Sequence, residues 1–280
     1  MIIKKNQILT ARNKKPILYD VYFNPIDKPQ PLIIFCHGYK GFKDWGPWRL
    51  VAEAFAAAGF CFVKMNFSHN GGTVENPIDF PDPAAFAENN FSLELDDLDR
   101  MIEKIESGSP SFPQQMASLS LIGHSRGGGI VLIKASEDQR IDKVVTWASV
   151  SDFKPRFQEG TEAFDNWKST GITYIENSRT GQMLPHNFQF YEDFKRNEER
   201  FTIKRAIGQV NVPLLIVHGS DDPTVPVKEA HKLHNWNPQS ELCIIDEGDH
   251  VFNAKHPWEG ESMPEPLQEA VLVSLNFLWV

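Results

Sequence analysis

A serine flanked by small residues stands out in the pentapeptide G-H-S-R-G at positions 123–127. An apolar run suited to a β-strand, 119–122, precedes it, and an apolar segment suited to a helix follows it. A serine on a sharp turn between a strand and a helix projects its hydroxyl out of the fold, and the glycines let the two elements approach closely. The backbone N–H of Arg126 would then point from the helix N-terminus toward a developing oxyanion. The pattern predicts that Ser125 is a nucleophile.

A serine hydroxyl is a good nucleophile only when a neutral imidazole takes its proton and an acid orients that imidazole. Candidates for both groups follow two later strand-like runs. Asp222 comes after the apolar run 213–218, and His250 comes after the run 242–245. Because parallel strands end at the same edge of a sheet, Ser125, Asp222 and His250 would each follow a different strand at one edge. The sequence therefore predicts a hydrolytic triad.

Neighbouring residues compete for two of these roles. Asp221 could orient the imidazole, with Asp222 only capping the helix that follows. Asp246 and Asp249 are weaker alternatives for the acid. His256 is an alternative base, although it lies in a looser loop before a proline. The residue types alone leave these alternatives open.

The elements that must position these residues alternate between short apolar runs and longer amphipathic segments, which is typical of β-α units on a mostly parallel sheet. Two N-terminal runs precede any helix and are predicted to pair as a hairpin of edge strands. The predicted strands are 7–11, 17–23, 32–36, 60–65, 119–122, 143–148, 213–218 and 242–245, and the predicted helices are 47–58, 95–105, 127–135, 227–234 and 266–280. The expected fold is an α/β sheet of about eight strands, mostly parallel, with helices on both faces.

One interval, 152–208, is far too long for an ordinary connection in a compact α/β unit. We predict a single domain, 1–280, in which this interval is a cap-like insertion. The aromatic side chains of the interval either fix it to the body of the protein or line a substrate pocket beneath it. These aromatic residues are Phe153, Phe157, Phe164, Trp167, Tyr174, Phe188, Phe190, Tyr191, Phe194 and Phe201.

Four segments carry a resemblance to a known family. They are H-G-Y-K-G at 37–41, G-H-S-R-G-G at 123–128, H-G-x-x-D-x-x-V-P at 218–226 and G-D-H at 248–250. Together they resemble the α/β-hydrolases, in the branch of dienelactone hydrolases, feruloyl-type esterases and prolyl-oligopeptidase-like serine hydrolases. The resemblance implies that Ser125 is the nucleophile, His250 the general base and Asp222 the orienting acid. It also implies an oxyanion hole formed by the backbone N–H groups of Tyr39 and Arg126.

The composition excludes several other classes of protein. With 28 Lys and Arg against 37 Asp and Glu, the chain has a formal net charge of −9 and lacks a basic run. This balance disfavours nucleic acid or an anionic membrane as the main partner. The sequence lacks a long apolar stretch and a signal-peptide pattern, so we expect a cytoplasmic protein. It also lacks zinc-like ligand spacing and nucleotide-binding motifs, so we expect neither a metal nor a cofactor.

These observations predict an enzyme that hydrolyses a small-molecule carboxylic ester through an acyl-enzyme. The same three residues would serve a peptidase, a thioesterase or a carbon–carbon hydrolase, because the pocket and not the triad selects the leaving group. A non-catalytic α/β-hydrolase fold that binds a small molecule is the alternative from another class. An intact set of serine, histidine and aspartate argues against it, since binding alone would not require all three.

Overall fold

The computed structural model describes residues 1–279; Val280, the end of the predicted C-terminal helix, lies outside them. The strands are β1 (Ile2–Ala11), β2 (Lys14–Phe23), β3 (Gln30–Cys36), β4 (Cys61–Met65), β5 (Met116–His124), β6 (Lys143–Trp147), β7 (Ile172–Asn177), β8 (Gln182–Asn187), β9 (Leu214–Gly219) and β10 (Glu241–Ile245). The helices are α1 (Trp48–Ala57), α2 (Pro83–Glu88), α3 (Phe91–Glu106), α4 (Arg126–Glu137), α5 (Glu162–Thr170), α6 (Gln189–Arg196), α7 (Ile203–Ile207), α8 (Lys228–Trp236) and α9 (Glu265–Trp279).

Eight of these strands form one sheet in the order β1-β2-β4-β3-β5-β6-β9-β10. The pairs from β4 to β10 are all parallel, whereas β2 is antiparallel to both β1 and β4. The predicted mostly parallel sheet of about eight strands is therefore confirmed. The expectation that both N-terminal strands lie at an edge is wrong for β2. Its residues 17–23 are buried, and it pairs on both sides, so of these two strands only β1 lies at an edge of the sheet.

Helices cover both faces of the sheet. The central strands β3, β4 and β9 are buried almost throughout, as expected for parallel strands between two helical layers. On one face, α1 and α9 contribute Trp48 and Leu267 to a buried apolar cluster. On the other face, α3, α4 and α8 contribute Leu98, Ile130 and Leu233 to a second cluster. This two-sided packing fixes the sheet as a rigid platform for the loops at its carboxyl edge.

The carboxyl ends of β3, β5, β9 and β10 lie at that one edge, because these strands are parallel. The loops that follow them carry Tyr39, Ser125, Asp222 and His250, in that order. The fold therefore brings together residues as far apart in the chain as Tyr39 and His250, which are 211 positions apart.

Between β6 and β9 the chain leaves the sheet. It forms a short 3-10 turn (Lys154–Phe157), then α5, the separate two-stranded sheet of β7 and β8, α6 and α7. Several of its aromatic side chains pack into the core cluster below α3 and α4; the rings of Phe153 and Phe91 stack with their centroids 4.1 Å apart. The segment thus lies over the carboxyl edge and is anchored to the body by aromatic contacts.

Within residues 1–279, the helices are too short or too polar to cross a membrane.

Candidate active site

Ser125 lies at the turn between β5 and α4 in a backbone conformation that is unusual for serine. Its φ is 55° and its ψ is −119°. A non-glycine residue at positive φ is strained, and such strain persists only where surrounding contacts impose it. Here the backbone N–H of Ser125 donates to the carbonyl of Trp147 at 2.8 Å, and its own carbonyl accepts from Gly128 N at 3.0 Å. The turn therefore has the geometry predicted for a nucleophile between strand and helix.

Two glycines make this turn possible because strand and helix pass too close for side chains. A Cβ on Gly123 would lie 2.3 Å from the carbonyl oxygen of Gly127, and a Cβ on Gly127 would lie 2.5 Å from that of Cys36. Both distances are far below any real contact. The small residues on either side of the serine are thus required by packing.

Ser125, His250 and Asp222 form a continuous hydrogen-bonded chain. The Nε2 atom of His250 lies 3.0 Å from the Oγ of Ser125, and its Nδ1 lies 2.8 Å from the Oδ2 of Asp222. Asp222 is buried, while the imidazole of His250 stays partly accessible. Because the carboxylate accepts the Nδ1–H, the Nε2 lone pair faces the serine hydroxyl.

The surroundings of Asp222 favour its ionised form. Its Oδ1 accepts from the backbone N–H groups of Thr224 and Val225, both at 2.8 Å. Burial opposes ionisation, but hydrogen bonds from His218 and His250 outweigh it and hold the pKa of this carboxyl well below its usual range. The acid is therefore a fixed negative charge directed at His250.

The alternative residues have other partners. Asp221 is exposed, and its Oδ1 accepts from Ser220 Oγ at 2.9 Å. Asp249 accepts from two backbone N–H groups of its own turn, and Asp246 is exposed. The Nδ1 of His256 accepts from Gly46 N at 2.8 Å. Among the candidate acids and bases within residues 1–279, only Asp222 and His250 form a hydrogen-bonded chain with Ser125. Their catalytic roles stay predictions.

The two amides predicted to form the oxyanion hole flank the serine. Arg126 is the first residue of α4, and Tyr39 lies in the loop after β3. That loop passes directly against the serine, since a Cβ on Gly38 would lie 2.8 Å from the Cβ of Ser125. Within residues 1–279, the backbone N–H groups of Tyr39 and Arg126 donate no hydrogen bond. Both donors are therefore free for an oxyanion.

A buried network of charges anchors the loop that carries Tyr39. The ammonium groups of Lys43 and Lys64 lie 2.8 and 3.0 Å from the two carboxylate oxygens of Asp20. Both lysines also pair with Asp44, at 2.6 and 2.5 Å. Although burial opposes its ionisation, the two lysines lower the pKa of Asp44 to about 2. This network ties the loop after β3 to strands β2 and β4.

Three buried histidines around the site are neutral at ordinary pH. Burial lowers the pKa of His37 to about 4 and that of His124 and of His186 to about 3. The Nδ1 of His37 is 2.8 Å from the carbonyl of Gly38, and the Nε2 of His124 is 2.8 Å from that of His250. These contacts of His37 and His124 hold the loops of the site in place.

A cavity of about 1070 Å³ opens beside Ser125 and His250. Its walls are largely aromatic, and the segment between β6 and β9 supplies much of them. Other aromatic residues of the same segment, such as Phe194 and Phe201, are buried in the core, so the segment both packs against the body and lines the cavity. The aromatic residues of that segment that line the cavity are Phe153, Phe157, Phe164, Trp167 and Phe190.

Sequence reasoning missed two contacts at this cavity. The hydroxyl of Tyr39 lies 2.7 Å from the Nε2 of His186, which comes from β8. The guanidinium of Arg126 forms an ion pair with the buried carboxylate of Glu94 in α3. Burial raises the pKa of Glu94, whereas the guanidinium opposes that rise. No local signal in the sequence marks either pair, because the partners meet only through the fold.

Among the described residues, no group of three or more His, Cys, Asp or Glu side chains is arranged to hold a metal ion.

Comparisons with known proteins agree with this architecture. The model of the family described as "Putative esterase" matches residues 11–262 of the chain. The human serine hydrolase BPHL is 28% identical over 155 residues, which cover 52% of this chain and 53% of that protein. The chain thus spans about half the length of the curated relatives that it matches.

Solved structures share the fold at low sequence identity. Est1E from Butyrivibrio proteoclasticus, with ferulic acid bound, has a TM-score of 0.75 at 15% identity over 98% of each chain. The mouse α/β-hydrolase domain-containing protein 10 has a TM-score of 0.67 at 16% identity over 97% of each chain. Since the family model covers most of its length, the protein belongs to the esterase family, and it has the α/β-hydrolase fold that its sequence predicts.

Proposed function

We propose that this protein is a serine hydrolase that cleaves carboxylic esters of small molecules through an acyl-enzyme. The observation that carries the proposal is the chain of contacts from Asp222 Oδ2 through His250 to Ser125 Oγ, with spacings of 2.8 and 3.0 Å. Membership of the esterase family and the similarity to a human serine hydrolase support it.

In the first half of the reaction, Ser125 Oγ attacks the ester carbonyl carbon while His250 Nε2 takes the hydroxyl proton. The carbonyl π electrons move onto its oxygen, and the backbone N–H groups of Tyr39 and Arg126 donate to that oxyanion. Asp222 stabilises the imidazolium that forms. As the ester C–O bond breaks, the imidazolium returns its proton to the leaving alcohol.

In the second half, water replaces the alcohol. His250 Nε2 takes a proton from the water as its oxygen attacks the acyl carbon, and the same two amides stabilise the second oxyanion. The bond to Ser125 Oγ then breaks, and the imidazolium protonates that oxygen. The net reaction consumes an ester and a water and yields an acid and an alcohol.

The segment 152–208 acts in this proposal as a cap of the single domain. Its five cavity-lining aromatic residues support this role, because they supply an apolar wall opposite the serine. A substrate held under it is shielded from bulk water, which strengthens the hydrogen bonds to the oxyanion. The substrate is therefore expected to have a sizeable apolar part.

The test uses the purified protein and a series of p-nitrophenyl esters of increasing acyl length. The Ser125→Ala variant should lose at least about 10³-fold in kcat, because it removes the acyl-enzyme route. Ser136→Ala is the matched control: its hydroxyl lies at the far end of α4 and donates to the carbonyl of Ile133 at 2.8 Å. Near-full turnover in a folded Ser125→Ala variant would show that another residue is the nucleophile.

Matched amide and thioester substrates extend the test to the other leaving groups that the same triad could serve. Ester turnover well above amide turnover is expected. The reverse order would make the protein a peptidase.

A further inference from the structure

The cavity beside Ser125 is lined by more cations than anions, although the chain as a whole has a net charge of −9. Among the described residues that line it, Glu229 is the only carboxylate, and its Oε2 accepts from the backbone N–H of Ser151 at 2.7 Å. Four basic side chains face it. They are Lys40, Arg126, Arg156 and Arg179.

Lys40 has no acidic partner among residues 1–279. It follows Tyr39 in the loop after β3 and is half-buried. Its Nζ makes one long hydrogen bond, 3.4 Å, to the carbonyl of Glu176, and lies 5.6 Å from the centre of the Tyr39 ring. Burial lowers the pKa of this ammonium. A partly desolvated ammonium without a carboxylate is stabilised when an anion binds beside it.

Arg156 is also unpaired. It lies in the short 3-10 turn after β6, at the exposed side of the cavity. Its side chain makes neither a hydrogen bond nor an ion pair with any residue of the described range 1–279. Arg179 pairs with Asp79, as Arg126 pairs with Glu94, so the uncompensated positive charges at the cavity are those of Lys40 and Arg156.

Arg126 is nearest to the chemistry because it follows Ser125 directly. One of its terminal nitrogens pairs with Glu94, and its guanidinium carbon lies 5.0 Å from the centre of the Tyr39 ring and 5.8 Å from that of Phe190. A guanidinium has five N–H donors in a planar fork, and a single contact to Glu94 leaves most of them unused. Lys40 and Arg126 both lie beside the ring of Tyr39 and both line the cavity.

We propose that this cavity selects ester substrates that carry a carboxylate, which Lys40 and Arg126 bind on the inner side and Arg156 attracts at the rim. The inference rests on the proposed esterase function and specifies its substrate class: an apolar acyl chain or ring that fits the aromatic wall and ends in an acidic group. Arginine is well suited to this task because its fork matches a carboxylate. The acidic surface then favours solubility, whereas the basic residues of the cavity recognise the substrate.

The test compares two esters of the same acyl length, mono-p-nitrophenyl adipate and p-nitrophenyl hexanoate. The acyl chain of the adipate ester ends in a carboxylate, whereas that of the hexanoate ester ends in a methyl group. We expect the wild-type protein to prefer the adipate ester by about tenfold in kcat/KM. Raising NaCl from about 0.05 M to about 0.5 M should reduce that preference, since it rests on charge.

Two variants identify the groups responsible. Lys40→Met and Arg156→Met should each lower the ratio of adipate to hexanoate turnover by about threefold to tenfold. Lys28→Met is the matched control, because Lys28 is an exposed lysine in the loop between β2 and β3 and does not line the cavity. It changes the net charge equally and should leave the ratio unchanged.

The outcomes separate this proposal from the function on which it rests. Ser125-dependent turnover of hexanoate with an adipate ratio of one or less would overturn the carboxylate preference and leave the esterase function standing. A high ratio that both Lys40→Met and Arg156→Met retain would also overturn it. A folded protein that hydrolyses neither ester would overturn the esterase function itself.

Discussion

Replacing Asp222 by asparagine tests how the site holds its histidine. The Oδ1 of Asp222 accepts two backbone N–H groups at 2.8 Å, whereas Oδ2 faces His250 Nδ1 at 2.8 Å and His218 Nε2 at 3.3 Å. Asparagine offers one oxygen and one NH₂ group. Because the two backbone donors need an acceptor, they hold the asparagine oxygen at the Oδ1 position. The NH₂ group must then face His250.

A donor opposite Nδ1 reverses the tautomer of His250. Nδ1 must present its lone pair to the new NH₂ group, so the ring proton moves to Nε2. Nε2 lies 3.0 Å from Ser125 Oγ and can then donate to the serine but cannot accept its proton. The backbone and the packing stay the same, yet the base is lost. We expect kcat to fall by about 10⁴-fold, equivalent to about 5.5 kcal/mol in activation free energy.

The assay is the pre-steady-state release of p-nitrophenol from p-nitrophenyl acetate, which reports the attack by the serine. Asp221→Asn is the matched control, because Asp221 is exposed and should tolerate the change within about twofold. Thermal unfolding of both variants shows whether the fold is retained. A folded Asp222→Asn variant that loses less than about tenfold, or an Asp221→Asn variant that loses as much, would refute the reasoning.

Three further predictions concern residues that hold the site in place. Gly123→Ala should lower the free energy of unfolding by more than about 3 kcal/mol, because the added Cβ would lie 2.3 Å from the carbonyl oxygen of Gly127. Gly108→Ala, at an open position with a φ of 68°, should lower it by only about 1–2 kcal/mol. Equal losses for the two variants in urea unfolding would contradict this prediction. Asp20→Asn should lower the free energy of unfolding by about 3–5 kcal/mol in the same assay, because it leaves the buried ammonium groups of Lys43 and Lys64 without this carboxylate. A decrease below about 1 kcal/mol would mean that Asp44 alone neutralises both. A buried histidine with a lowered pKa contributes stability that is fully present above its pKa in the unfolded chain, about 6.5, and is lost as the pH falls. Asp97 acts in the opposite sense: burial raises its pKa to about 7, so its contribution to stability is lost as the pH rises. Counting these four groups alone, the unfolded chain should bind about two more protons than the folded one near pH 5, so stability should fall by about 2–3 kcal/mol for each unit by which the pH is lowered. Urea unfolding with a flat profile from about pH 7 to pH 5 would count against neutral buried histidines. The histidines concerned are His37, His124 and His186.

The sheet could be predicted from the sequence because its strands are unbroken apolar runs between turn residues. In the run 213–218, residues 214–218 are buried in strand β9 between two helical layers, as expected for a parallel strand inside the sheet. The elements that were missed carry weaker patterns. Helix α2 (Pro83–Glu88) is not among the predicted helices, although Asp82 before a proline is a helix-start signal and its side chain accepts from Ala85 N. The hairpin of β7 and β8 has exposed residues on much of β7, so it shows no clear apolar alternation.

The same distinction explains which parts of the site could be predicted. The turn at Ser125 could be recognised from the pentapeptide itself, because two glycines that flank a serine after an apolar run are typical of a close turn from strand to helix. The environment of Arg126 depends on Glu94, which lies 32 positions before it, and on the ring of Tyr39 from the loop after β3. Such partners are determined by strand order, which places α3 and the loop after β3 beside the start of α4. Each member of the predicted triad could therefore be located from its local motif, whereas the proposed substrate preference depends on tertiary contacts. A relative with the same pentapeptide but an acidic residue in place of Lys40 should accept a different class of ester.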